Sequence, residues 1–77
     1  MAAIVYFCRV SESVEFVEYE FGEDPGEFVR RMMMDKASCT SAVRDGRVDY
    51  TFLKASRKIN AVRAQRGEWP ERGMSAS

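Results

Sequence analysis

Few side chains in this chain could carry out a reaction. It holds two cysteines, Cys8 and Cys39, a scatter of serines and threonines, equal numbers of acids and bases, and no histidine. Without histidine there is no Ser-His-Asp triad, no Cys-His dyad and no imidazole metal ligand. The cysteines lie far apart in sequence and form no C-x-x-C pair, and two thiols do not close a four-ligand zinc site. Reduced, partly buried thiols are the expectation, with a disulfide left open should a strand and a helix end meet. The carboxylates show no EF-hand spacing, and no glycine-rich loop is present to cradle a phosphate. A chain of 77 residues also has little material for both a core and a deep pocket. The expectation is therefore no enzyme, no cofactor and no metal.

What remains is charge. In residues 1–27 only Arg9 stands against seven acids, a net −6; the whole chain is neutral, so residues 28–77 carry +6. The acids cluster in a stretch with Glu15, Glu18 and Glu20, flanked by Glu12 and Glu23. Read as a solvated strand face they do nothing further; read functionally they form a carboxylate ladder that docks on a basic groove. Between Lys54 and Arg66 lie five basic residues and no acid. Read as a helix capped by Ser56 and stopped by Gly67, this segment has Arg63 and Arg66 at the end where the dipole welcomes cations. Arg57 and Lys58 would fall in its first turn, where cations are disfavoured. Compensation would come from Glu18, Glu20 or Asp49 across a sheet, or from an external anion at Ser56 and the free N–H groups.

These residues need elements to position them. Val, Phe and Tyr are common and Leu53 is the only leucine, a bias toward sheet. Ala3 to Val10 reads as a strand with apolar residues on both parities, and Ser13 to Phe21 as a second. Val17, Tyr19 and Phe21 alternate with Glu18 and Glu20, while Val14 and Phe16 have the opposite phase. A β-bulge near Phe16–Val17 would reconcile the two halves; otherwise Phe16 is exposed on the acidic face.

Asp24 to Cys39 carries helix signals. Asp24 suits an N-cap, Pro25 suits N1 and Glu27 suits N3 of a capping box. Phe28, Met32 and Cys39, with Val29, Met33 and Ala37 beside them, make an apolar stripe, while Arg30, Arg31, Asp35 and Lys36 face away. Met34 does not fit the stripe. Asp45-Gly46 reads as a hairpin turn, with a helix running to Arg44 and stopping at Gly46 as the competing reading. Val48 to Leu53 reads as a strand, and Ser56 to Arg66 as a helix with a narrow stripe of Ala55, Ile59 and Val62, a further strand being the competing reading.

The expected fold class is α+β: a small antiparallel sheet with one amphipathic helix packed on a face, in the order β-β-α-β-β-(α). Residues 1–70 form a single domain and residues 71–77 a disordered tail. A domain this small buries only roughly 60% of its unfolded surface, so a homodimer stays open. The N-terminal apolar run lacks the basic start and the length of a signal peptide, and no stretch is long enough to span a bilayer. A cytoplasmic location with no membrane partner is expected.

With catalysis set aside, the expected function is stoichiometric binding to a larger protein or nucleoprotein complex, as an adaptor or inhibitor with segregated acidic and basic faces. Its contacts are expected at Glu18, Glu20, Arg57, Lys58, Arg63 and Trp69. The alternative is nucleic-acid binding through Lys54, Ser56, Arg57, Lys58, Arg63 and Arg66. Against it stand the overall neutrality and the lack of an aromatic between Lys54 and Arg66 on which a base could stack.

Overall fold

The computed structural model describes residues 4–24, 26 and 30–76. The elements run β1 (Ile4–Glu12), β2 (Phe16–Gly22), β3 (Arg30–Asp35), β4 (Ser41–Val43), α1 (Tyr50–Arg66) and β5 (Arg72–Ala76). The strands form one five-stranded sheet in the order β4-β3-β2-β1-β5, and every neighbouring pair is antiparallel. The expected class, an antiparallel sheet with one helix on a face, is what the chain adopts. The order of elements is different: four strands come first, then the helix, then a closing strand.

The first difference concerns Asp24 to Cys39. Arg30–Asp35 is a strand, paired along its length with β2 from Phe16↔Asp35 to Phe21↔Arg30. Met32 and Met34 are buried, whereas Arg31 and Met33 are exposed. That is a period of two, and Met34, the residue that broke the helical stripe, is fully buried. The physical reason is β2. Its Val17, Tyr19 and Phe21 present a continuous apolar row, and an adjacent strand both extends that row and satisfies the backbone of β2. Asp24 accepts a bond from Gly26 N–H at 2.8 Å, a two-residue reach that an Asx-turn and a helix cap share. Pro25, Glu27, Phe28 and Val29, which carried the rest of the helix signal, lie outside the described residues.

β3 and β4 are joined by a tight turn. Asp35 accepts from the N–H groups of Ala37 and Ser38 through its carboxylate and from Cys39 N–H through its carbonyl, while its own N–H donates to Thr40 O. Cys39 takes φ 60° to close it. The Asp45-Gly46 turn is present, with Gly46 at φ 74°, but it leads from β4 into the helix rather than into another strand.

The second difference concerns 48–53. The expected strand is the first turn of α1, which begins at Tyr50 and is capped by Asp49, not Ser56; the Asp49 carboxylate accepts from Phe52 N–H. Phe52, Ala55, Ser56 and Ile59 form the buried stripe, at the i, i+3, i+4, i+7 spacing of a helix lying on a sheet. Gly67 ends the helix at φ 77°, its N–H donating to Arg63 O, as expected from the sequence.

The 17-residue α1 packs against β1, β2 and β5, and the return strand β5 pairs with β1 from Ile4↔Ala76 to Cys8↔Arg72. Residues 72–76, expected to be part of a disordered tail, therefore belong to the sheet. Close approach fixes Gly73 there: an added Cβ would stand 2.7 Å from Cζ of the buried Phe7 ring. The irregularity between β1 and β2 falls at Arg9/Ser11, on the partner of the expected strand. Phe16 accordingly keeps its phase and is partly exposed on the side of Glu18 and Glu20.

The core lies between the sheet and α1. It is built from Val5, Phe7, Val17, Tyr19, Phe21, Met32 and Met34 on the strands, Phe52, Ala55 and Ile59 on the helix, and Trp69 beyond it. The Tyr19 hydroxyl, carried into this layer, donates to Pro70 O at 2.6 Å, and burial pushes its pKa up. Among the described residues no helix lies over the opposite sheet face.

The strand reading of 30–35 makes a sharp prediction. Met34→Ala should cost about 2–5 kcal/mol and Met33→Ala about 0.5 kcal/mol or less. Urea titration of both variants checks it; similar losses at both positions would contradict the alternation.

Candidate functional site

Where α1 begins decides what its surface presents. Asp49 is held from two sides: it caps Phe52 N–H at 3.0 Å and takes both bonds of an Arg30 nitrogen at 2.8 and 2.9 Å. Arg30 also reaches Asp45 at 2.9 Å and Arg47 O at 2.8 Å, and its guanidinium lies 4.8 Å from the centre of the Phe21 ring. Its side chain is only 10% exposed, so β3, the 44–49 loop and the helix start are tied through one fixed cation. Bonds to Asp45, then to Asp49, hold Arg30 protonated more firmly than usual. Bonds from Arg30 hold both aspartates below the ordinary carboxylate range.

The residues expected to form a site divide into three groups. Glu18 and Glu20 lie on the uncovered sheet face, opposite the helix. Ser11 Oγ donates to Glu18 at 3.1 Å, Arg44 pairs with Glu18 at 3.3 Å, and Arg31 pairs with Glu20 at 3.0 Å. Glu18 and Glu20 are thus neutralised by neighbouring arginines, and neither glutamate nor Asp49 is an ion-pair partner of the helix cations.

The second group is structural. Trp69, expected at a partner contact, is a core residue, with Arg63 5.6 Å from its ring centre and its carbonyl accepting from Arg9 at 3.3 Å. A side chain already packed inside cannot anchor a partner without opening the fold. Ser56, expected as a cap with an anion at its N–H groups, is mid-helix and buried. Its Oγ accepts from Ser41 Oγ at 3.1 Å. Lys54 is buried as well, with its ammonium 5.6 Å from the Tyr50 ring centre.

The third group is exposed. Arg57, Lys58 and Arg66 stand on the outer surface of α1. Arg57 and Lys58 lie in the interior of the helix rather than its first turn, so the dipole penalty does not apply to them. Among the described residues neither makes an ion pair, although Arg9, Arg30, Arg31, Lys36, Arg44 and Arg47 all do. The structure adds Tyr50, Leu53 and Ser75 to the residues expected from the sequence. Tyr50, Leu53, Lys54, Arg57, Lys58 and Ser75 line one cleft of about 320 Å³ between α1 and the β5 edge. Once the helix is begun at Asp49, Tyr50, Leu53/Lys54 and Arg57/Lys58 share a stripe; the strand reading of 48–53 concealed it.

Among the described residues no group of three or more His, Cys, Asp or Glu is placed to hold a metal, and no helix is long and apolar enough to cross a membrane. Comparison with protein-family models, with curated proteins and with solved structures finds no match to this chain.

The Arg30 clasp has a pH signature. Each aspartate has a folded pKa below its unfolded value of about 3.9. The contribution is complete above that value and is lost as pH falls through the lower folded one. Arg30→Gln should therefore lower the urea midpoint at neutral pH, and its deficit relative to the parent should narrow below pH ~4. A deficit that stays constant through the acid range would show that the ion pairs contribute nothing.

Proposed function

We propose that this chain is a small non-enzymatic binding protein that acts by stoichiometric contact with a larger macromolecule, as an adaptor or inhibitor. The observation supporting this reading is the unequal treatment of charge. The acids of β2 are paired within the fold, while Arg57 and Lys58 stand exposed on α1 without an ion-pair partner among the described residues. Positive charge open to an approaching surface is therefore concentrated on the helix, which carries no acid, and a partner with an acidic surface suits it. The contact role passes from Glu18, Glu20 and Trp69 to Arg57, Lys58 and their cleft neighbours.

The open sheet face has a different character. Tyr6, Cys8, Phe16, Met33 and Met74 share it with the neutralised Glu18–Arg44 and Glu20–Arg31 pairs. A face without net charge tolerates a second copy of itself, whereas two basic helix faces repel each other. We assign any homodimer contact to this sheet face.

Nucleic acid is the second reading. What favours it is Tyr50, 62% exposed beside Lys54 and in the same cleft as Arg57 and Lys58, which offers a ring on which a base could stack.

Affinity capture from the native host in mild salt, using the full chain and the Arg57→Glu/Lys58→Glu variant, separates the readings. The expected result is a protein partner in equal stoichiometry that the variant loses. Recovery of nucleic acid instead, with retention falling steeply between ~50 and ~200 mM salt, would transfer the function to the second reading. Turnover of a substrate by the purified chain would sink both.

A further inference from the structure

We propose that the free edge of β5 binds an extended acidic segment of a partner protein as an added sheet strand, with its carboxylates in the cleft under α1. The proposal rests on the basic helix face as the contact surface and specifies what that surface takes.

The first observation is the backbone of β5. It is the outermost strand of the sheet. Arg9 N–H donates to Glu71 O at 2.7 Å, which makes the 9–71 position a hydrogen-bonded pair. Antiparallel ladders alternate, so in the register Phe7↔Gly73 and Val5↔Ser75 the backbone groups of Gly73 and Ser75 point at β1. Those of Arg72 and Met74 point outward. An exposed edge of this kind is a template for another strand unless something blunts it. Among the described residues β5 carries no proline and no acidic side chain.

The second observation is the cleft. Alternate side chains of an added strand would rise toward the helix side, where Tyr50, Leu53, Lys54, Arg57 and Lys58 form the wall. Among the described residues no acid lines that wall. Carboxylates on every second residue would meet Arg57 and Lys58, and the apolar residues between them would turn to the opposite sheet face, beside Met74 and Tyr6. Main-chain bonds would supply affinity and the cationic wall the choice of side chain. A second copy is a poor occupant here: pairing β5 with β5 about a two-fold axis would bring two sets of Arg57 and Lys58 together. Polynucleotide offers phosphates to the same cations but no strand backbone for Arg72 and Met74.

The test uses the full chain and a short peptide that alternates glutamate and valine, followed by backbone amide exchange and chemical shifts. The expected result is new protection of the Arg72 and Met74 amides, with Gly73 and Ser75, already bonded to β1, little changed. The same peptide N-methylated at alternate residues should lose at least about tenfold in affinity, as should the parent peptide against Arg57→Glu/Lys58→Glu. Met74→Pro removes an outward N–H without touching the β1 ladder and should also weaken binding. The methylated peptide keeps the test valid should that variant not fold. No protection at millimolar peptide, or equal affinity for the methylated form, overturns strand addition. If the charge-reversed variant still loses a captured partner in that case, the basic-face reading stands alone. If an oligonucleotide displaces the peptide and itself protects neither amide, the cleft belongs to nucleic acid and both are overturned.

Discussion

Val17, Tyr19 and Phe21 project from one side of β2 with no measurable exposure, and one helix is available to cover them. Burying large side chains of this kind stabilises a fold by about 1.5–3 kcal/mol each, a large share of what so small a domain can muster. Covering that row organises the rest. β1 and β3 widen it with Val5, Phe7, Met32 and Met34, and α1 lays Phe52, Ala55 and Ile59 across it. Beyond the helix the chain returns to the side of β1 away from β2. There Trp69 plugs the joint and β5 closes the sheet.

The same constraint divides the surface. A single helix leaves the second sheet face bare, and the side chains there mix apolar groups with cross-strand Glu–Arg pairs. The helix itself, with no acid along its length, presents cations outward. The Arg30 clasp on Asp49 and Asp45 sets the first residue of α1 and hence which side chains reach the β5 edge. Charge segregation thus follows from layer architecture: Arg31 and Arg44 meet the glutamates of β2, while Arg57, Lys58 and Arg66 on the helix's outer side are exposed.

Several local assignments reversed for one reason. Residues 30–35 and 48–53 each satisfy two periodicities over a short window, and short apolar runs do not distinguish strand from helix. Met34 was the sign that 30–35 follows a period of two, since a fully buried methionine has no place opposite a helical stripe. In 48–53, Asp49 was the overlooked cap. Its reach to Phe52 N–H, three residues on, is as clear a start signal as the Ser56 that displaced it. The acids of β2 occupy one face of a strand, as their alternation with Val17, Tyr19 and Phe21 indicates, but their partners Arg31 and Arg44 belong to segments that only the true register brings alongside.

By itself the sequence determined the composition of the layers: an antiparallel α+β class, a β1–β2 pair with Val17, Tyr19 and Phe21 inward, a helix ending at Gly67, and a basic run along that helix. These follow from local rules of alternation, capping and charge that act within one segment. Tertiary structure alone decided that 30–35 is a strand, that Trp69 and Ser56 are interior, that Glu18 and Glu20 are paired, and that 72–76 completes the sheet. Each of those depends on which residues, distant in sequence, come to share a face or an edge. That is settled by burial and backbone pairing over the whole sheet, which no single window of sequence contains.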